Sequence, residues 1–260
     1  MKRFPALIIH VPHASTVIPE DVRKTFCLDD RELAEEVRLL TDHFADKLFA
    51  CDPERAVTIG FPVSRLVVDP ERFPDDARES MAHKGMGAVY MKTSGGKPLR
   101  HPLDPGSREA LLTRYYHPHH ERLTRAVDEA LERRGGCLII DGHSFPDHPL
   151  PCDADQETPR PDICLGTDPF HTPSSLVECA ANYFSEAGFQ VKLNRPYAGT
   201  IVPLSHHGRR SACLSLMIEI NRRLYIDETN SRRSPDFSAV REHVQTVIDL
   251  LASKARIPGK

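Results

Sequence analysis

Apolar runs that end in a histidine occur twice in the 260-residue chain. Cys137-Leu138-Ile139-Ile140 passes straight into Asp141-Gly142-His143-Ser144 and stops at Pro146, and Ala6-Leu7-Ile8-Ile9-His10-Val11-Pro12 leads to His13-Ala14-Ser15. Each has the layout of a buried strand with a polar far end, and strand ends are where α/β folds assemble their sites. Imidazole is the commonest protein metal ligand, so two such ends point to a metal centre more than to packed core. A catalytic zinc takes about three ligands from His, Asp and Glu and keeps one position for water. His13 and His143 are the first two candidates. For the third, Asp42 and Glu20 are both open, while Asp141 is placed to orient a histidine from behind. His10, inside its strand, reads as a packed residue.

Glu219 sits in a third apolar run, Leu216-Met217-Ile218-Glu219-Ile220. A carboxylate there is expensive to bury unless it is paired, or its pKa is raised for proton transfer. On this residue alone, a salt bridge to Arg222 or Arg223 is the stronger reading. His117-Pro118-His119-His120 suggests a metal site but is read as a partly exposed helical turn beside a kink. Ser144 and Ser15 each follow a histidine closely, which raises a serine hydrolase as a rival. Neighbours one or two apart seldom form a triad, and there is no G-x-S-x-G elbow.

The elements that must hold these residues alternate. An acidic start at Asp29 to Glu32 opens a helix running to about Phe49, with Leu33, Val37, Leu40, Phe44 and Leu48 on one face and Asp42 and His43 inside it. Residues 56–61 and 64–69 read as strands separated by Pro62. Residues 70–105 are rich in glycine and proline, and long irregular stretches are more often functional than idle. A helix over 107–134 must kink or split at Pro118, and Gly135-Gly136 ends it. After the His143 strand come a proline-rich loop to Pro161, a strand over 162–166, a helix over 174–187 stopped by Gly188, and a strand over 190–194. The Glu219 strand spans 214–222, and a closing helix spans 234–255 with Ser234 or Asp236 near its cap. Strands alternating with helices make a mostly parallel sheet covered on both faces, here as one domain over 1–260.

Composition narrows the class. The net charge of −3 gives no argument for nucleic acid or an anionic membrane as partner. No apolar run approaches the roughly 20 residues of a membrane span. Met1 to Pro5 enters the first strand without the apolar region of a signal peptide, so a cytoplasmic location is expected. Seven scattered cysteines with no CxxC pair argue against a disulfide framework or a cysteine-rich zinc site. Oligomeric state is left open.

Six segments, in order, carry a resemblance: Val11-Pro12-His13-Ala14-Ser15, Thr41-Asp42-His43-Phe44, Val68-Asp69-Pro70-Glu71-Arg72-Phe73, Asp141-Gly142-His143-Ser144, Asn194-Arg195-Pro196-Tyr197-Ala198-Gly199 and Ile218-Glu219-Ile220-Asn221-Arg222. Through them the chain resembles the N-formylglutamate amidohydrolase family along nearly its whole length. That family is similar in turn to the zinc carboxypeptidases. The resemblance implies a three-layer α/β/α fold around a mixed, mostly parallel sheet, of the phosphorylase/hydrolase-like, zinc-carboxypeptidase-like kind.

It also implies roles. His13 and His143 match zinc ligands, Glu219 matches the catalytic glutamate, and Asp69-Pro70-Glu71-Arg72 resembles an Asp-x-Asn-Arg turn that binds the substrate carboxylate. Glu71 replaces the asparagine of that turn. The usual His-x-x-Glu ligand pair is absent, because residue 16 is Thr16, and Asp42 is preferred narrowly over Glu20 as the third ligand. The implied reaction is hydrolysis of a small N-acyl amino acid, N-formyl-L-glutamate to formate and glutamate, with one divalent metal, zinc by expectation. Two substrate carboxylates require two cationic anchors, for which Arg72 and Arg195 are expected and Arg65 is next. Ser144 and Asn221 are expected at the substrate. Tyr197 is expected to cap the pocket or stabilise an oxyanion, or equally to pack on proline. A non-catalytic binder of acylated amino acids is the remaining rival.

Overall fold

All three apolar runs lie side by side in one sheet. The computed structural model describes residues 6–255, so the expectation for Met1 to Pro5 lies outside the described residues. Strands β1 (Ala6–Val11), β2 (Ala56–Gly60), β3 (Cys137–Phe145), β4 (Ile163–Gly166), β5 (Val191–Leu193) and β6 (Cys213–Asn221) pair in the order β2-β1-β3-β6-β4-β5. Every neighbouring pair is parallel except β4 with β6, which is antiparallel. Every residue of β3 and β6 is buried, as expected of strands covered on both faces.

The covering helices follow from the alternation of side chains along each strand. Ile9, Leu138, Ile140, Leu216 and Ile218 pack against α6 (Ser174–Glu186) and α7 (Phe237–Lys254). Their neighbours Ile8 and Ile139 pack on the other face against Leu123 and Val127 of α5 (His117–Arg134). The result is the three-layer α/β/α arrangement with a mixed, mostly parallel sheet. No helix among the described residues is long and apolar enough to cross a membrane.

The expected helix to Phe49 is two helices. After the short α1 (Glu20–Arg23), α2 (Asp30–Leu40) opens on a capping box between Asp29 and Glu32 and stops before Thr41. Phe44 adopts a left-handed conformation at φ 59° before α3 (Ala45–Leu48) begins. Asp42 and His43 therefore lie in a break, outside any helix. Leu33 and Leu40 pack into the cluster over the strand ends, whereas Phe44 and Leu48 join the α6–α7 layer. Spacing had assigned them to one face, but tertiary contacts divide them. The Asp42 amide donates to His13 O at 2.9 Å, which diverts the chain from helical geometry.

Residues 64–69 form a buried loop where a strand was expected. Leu66, Val67 and Val68 are fully buried, so their apolar character reports burial without pairing. The carbonyls of Leu66 and Val67 accept from Arg100 Nη2 at 2.8 and 3.2 Å, and Arg100 Nε donates to Tyr90 O at 3.2 Å. A single buried guanidinium thus replaces the ladder this segment lacks. The Pro118 helix splits as expected: α4 (Pro105–Leu111) passes through a π-helical turn at Leu112–Tyr116 into α5. The wider turn accommodates a proline that has no amide hydrogen to donate. The closing helix begins at Phe237, with Ser234 Oγ accepting from the Asp236 amide at 3.3 Å.

Replacing Arg100 by methionine removes the donor from three buried carbonyls. Each is worth roughly 1–3 kcal/mol when left unsatisfied. Arg100→Met should therefore lose about 3 kcal/mol or more of stability in a urea unfolding titration.

Candidate metal centre

The C-terminal ends of β1, β3 and β6 and the α2–α3 break converge on one point. The turn after β1 delivers His13, β3 delivers His143, the break delivers Asp42, and one ligand atom from each lies within 4.8 Å of the others. Asp42 Oδ2 is 3.2 Å from His143 Nδ1 and 3.8 Å from His13 Nδ1. Gly142 makes the approach possible, because the Phe49 ring lies 2.7 Å from where a Cβ would stand.

The far nitrogens of both histidines are tied back. His13 Nε2 is 2.9 Å from Asp69 Oδ1, and His143 Nε2 is 3.0 Å from Asp141 Oδ1. An ionised carboxylate only accepts, so both Nε2 atoms carry hydrogen and both Nδ1 atoms face Asp42. His13 Nδ1 is buried and has no hydrogen-bond partner. That orphaned nitrogen, with a second imidazole and a carboxylate around the same point, fits a zinc-like divalent cation. Asp42 Oδ1 is held separately by Arg222 Nη2 at 3.1 Å.

Charge is tightly coupled here. Burial lowers the His13 pKa, and Arg65 lowers it further. Burial would also lower His143, but Asp141, Glu71 and Asp42 outweigh it and hold the imidazole well above its ordinary value. Burial opposes ionisation of Asp42, yet the hydrogen bond from His143 and the charges of His13, His143 and Arg222 leave it lowered. His143 Nδ1 lies 3.2 Å from the acceptor Asp42 Oδ2, so a cation bound between them would have to displace the proton held there.

Glu219 stands beside His143 in the β3–β6 register. Burial pushes it up to about 8; His143 and Arg222 pull the other way, while Asp42 and Asp141 add repulsion. It makes no ion pair among the described residues, and its Oε2 has no hydrogen-bond partner. The salt bridge anticipated for it does not form. Arg222 is spent on Asp42, Leu39 O and Ser144, and Arg223 pairs with Asp147 and Asp162.

A cavity of about 220 Å³ opens onto the centre, walled by His13, Asp42, His143, Glu219, Arg65, Arg72, Glu71, Ser144, Tyr197 and Arg222 among others. Arg65 donates from Nε and Nη2 to Asp69 Oδ2 at 3.2 and 2.7 Å. Arg72 Nε has no hydrogen-bond partner, but it lies 3.7 Å from Asp69 Oδ2, and Nη1 lies 3.5 Å from Glu79 Oε1. Tyr197 donates to Asp153 Oδ1 at 3.1 Å and forms part of the wall. Ser144 Oγ accepts from Arg222 Nε at 3.3 Å and bonds no histidine among the described residues, which disfavours a serine nucleophile. Arg195 lies off the cavity wall, neutralised by Asp155 and Glu157 at 2.9 Å each. Asn221 is also off the wall; its amide binds Asp147 Oδ1 and Pro161 O, and its Oδ1 accepts from the Arg223 amide. Glu20 stands exposed on α1, with its side chain 89% accessible.

Several residues escaped the sequence reading. Asp69, the support of His13, follows an apolar run much as Asp141 does, and that signal was available. Arg222 was in view only as a partner for Glu219; its bond to Asp42 and the His10–His119 contact had no sequence signal. Glu71 turns toward His143 Nε2 (3.4 Å) and His10 Nδ1 (3.5 Å). His10, Glu71 and Asp141 form a second group within cation-binding reach. There, however, His10 Nδ1 and His143 Nε2 already donate to Asp141 Oδ1 at 2.8 and 3.0 Å, so protons hold the position.

The family model for N-formylglutamate amidohydrolase matches residues 5–226. The chain is similar to the solved N-formylglutamate amidohydrolase from Ralstonia eutropha JMP134, at 24% identity and a TM-score of 0.81, covering 96% of this chain and 94% of that one. It is similar also to the structure of a gene product from Agrobacterium tumefaciens, at 21% identity and a TM-score of 0.67, covering 96% and 90%. Comparison with curated protein sequences gives no match. The two structures show a shared fold, while the family match runs from β1 through β6 and takes in every residue of the centre. The chain belongs to the N-formylglutamate amidohydrolase family.

Proposed function

We propose that this amidohydrolase cleaves the amide of a small N-acyl amino acid, N-formyl-L-glutamate first among them, with a divalent cation, zinc by its donor set, held by His13, Asp42 and His143. The observation that carries the reading is the pair of tied-back imidazoles, both Nδ1 atoms turned to one carboxylate oxygen beside an unpaired, buried Glu219. A cation in this position supplies a Lewis acid for the acyl oxygen and makes water a better acid.

The chain supplies the rest. Glu219 takes a proton from the attacking water and returns it to the departing nitrogen, which a resonance-stabilised amide requires. Its position beside His143 puts the base within the same cavity as the ligands. Arg65 and Arg72, both on the wall, bind the two substrate carboxylates and set the orientation. Arg65 takes the place expected for Arg195. Arg222 holds Asp42, and Tyr197 closes the wall.

Purified protein should contain about one zinc per chain and release formate from N-formyl-L-glutamate. Chelation should abolish that release and added metal restore it; activity indifferent to chelation would sink the metal reading. Glu219→Gln should keep its metal yet lose roughly 10²–10⁴-fold in kcat. The same substitution tests the charge state without substrate. The folded pKa of about 8 exceeds the ordinary 4.5, so the unfolded chain ionises this group first and stability falls as pH rises between those values. Metal-free Glu219→Gln should accordingly gain more stability over wild type at pH 8 than at pH 5, as read by urea unfolding.

A further inference from the structure

On the side of His143 away from Asp42, more buried polar side chains form a line that the proposed chemistry does not use. His10 of β1 stands opposite Asp141 of β3 in the strand register, and His119 reaches His10 from α5. His10, Asp141 and His119 are 1%, 0% and 3% exposed. His10 Nδ1 lies 2.8 Å from Asp141 Oδ1, and His10 Nε2 lies 2.9 Å from His119 Nε2. Asp141 Oδ1 is shared with His143 Nε2, and Asp141 Oδ2 accepts from the Ile201 amide at 2.9 Å.

The tautomers follow from acceptor counting. Asp141 can only accept, so His10 presents Nδ1–H to it. A neutral His10 then offers Nε2 as an acceptor, and His119 supplies Nε2–H. This leaves His119 Nδ1 as a bare lone pair, and that atom has no hydrogen-bond partner. The reverse direction would bury an unbonded N–H, which proteins tolerate less readily than an unused acceptor. Donation therefore runs from His119 to His10 to Asp141, toward the centre.

We propose that His10, oriented by His119, is a positioning residue of the metal centre. Together with the Ile201 amide it fixes the Asp141 carboxylate, so that Oδ1 holds His143 with Nδ1 turned to Asp42. The proposal rests on reading His13, Asp42 and His143 as metal ligands. Partners behind ligating histidines typically set metal affinity by 10–100-fold, and His10 acts through one of them. Without His10, Asp141 keeps two of its three donors, and its plane is free to turn away from His143. Two elements packed on the same face of the sheet, α5 and the loop after β5, thus orient a ligand that neither carries.

The test is zinc affinity of the full chain, measured by competition with a chromophoric chelator, for wild type, His10→Ala and His10→Asn. Thermal unfolding of each metal-free protein is recorded alongside. An asparagine amide places an N–H where Nδ1–H lies in histidine, so it retains the donor to Asp141. His10→Ala should weaken zinc binding about 10-fold or more, while His10→Asn stays within about 3-fold, even where both lower the unfolding midpoint. Unchanged affinity in His10→Ala, equal loss in both variants, or two zinc ions per wild-type chain overturns the proposal. Should His10→Ala not fold, His119→Phe removes only the donor to His10 Nε2. Binding weakened by about 3-fold then supports the line, and unchanged binding overturns it. A wild type that binds no zinc overturns the ligand reading itself, and so the proposal with it, which separates the two failures.

Discussion

Everything in the centre depends on the bond between a buried carboxylate and the far side of an imidazole. Asp69 and Asp141 are both fully buried, and each is tied to a histidine Nε2. An isolated carboxylate at such depth would be costly. Here each is paired, and the pairing turns both Nδ1 atoms the same way. Asp69 sits in the loop whose backbone Arg100 satisfies, and Asp141 lies in the fully buried β3. Core construction and site construction are therefore the same problem.

The charge balance of the cavity points the same way. Asp42, Asp69, Glu71, Asp141 and Glu219 gather around it against three guanidinium groups, Arg65, Arg72 and Arg222. Carboxylates outnumber guanidinium groups here, an excess that a cation would offset. The same crowding raises the pKa of His143, while burial is the main cause of the rise at Glu219. Charges packed this closely, with little water to screen them, act as a unit.

How much of this the sequence disclosed varies with how local each determinant is. His13, His143 and Glu219 were legible because a strand records its burial as an apolar run, and the polar residue that ends the run marks the mouth of the sheet. The three layers were legible for the same reason. The break at Asp42 was not, since it depends on His13 O and on Arg222, 180 residues away. Arg195 and Asn221 read as substrate contacts because their segments matched, yet their partners lie in the loop between β3 and β4, which no pattern could pair with them. Residues 64–69 misled because an apolar run reports burial, and only hydrogen bonding makes a strand. His10 was rightly taken as buried. What it touches could not be read from β1 alone.

The strand order has a consequence for how the chain acquires its centre. β6 lies between β3 and β4 in space but follows both in sequence. During synthesis β3 therefore waits with one edge unpaired and β4 with no neighbour on its inner side, until residues 213–221 leave the ribosome. Arg222, which clamps Asp42, comes directly after. A nascent chain that already contains all three imidazole and carboxylate donors still lacks the wall and the clamp that hold them. The centre is therefore complete only after translation of β6, and in the interval the open edges of β3 and β4 are the surfaces a chaperone would have to shield.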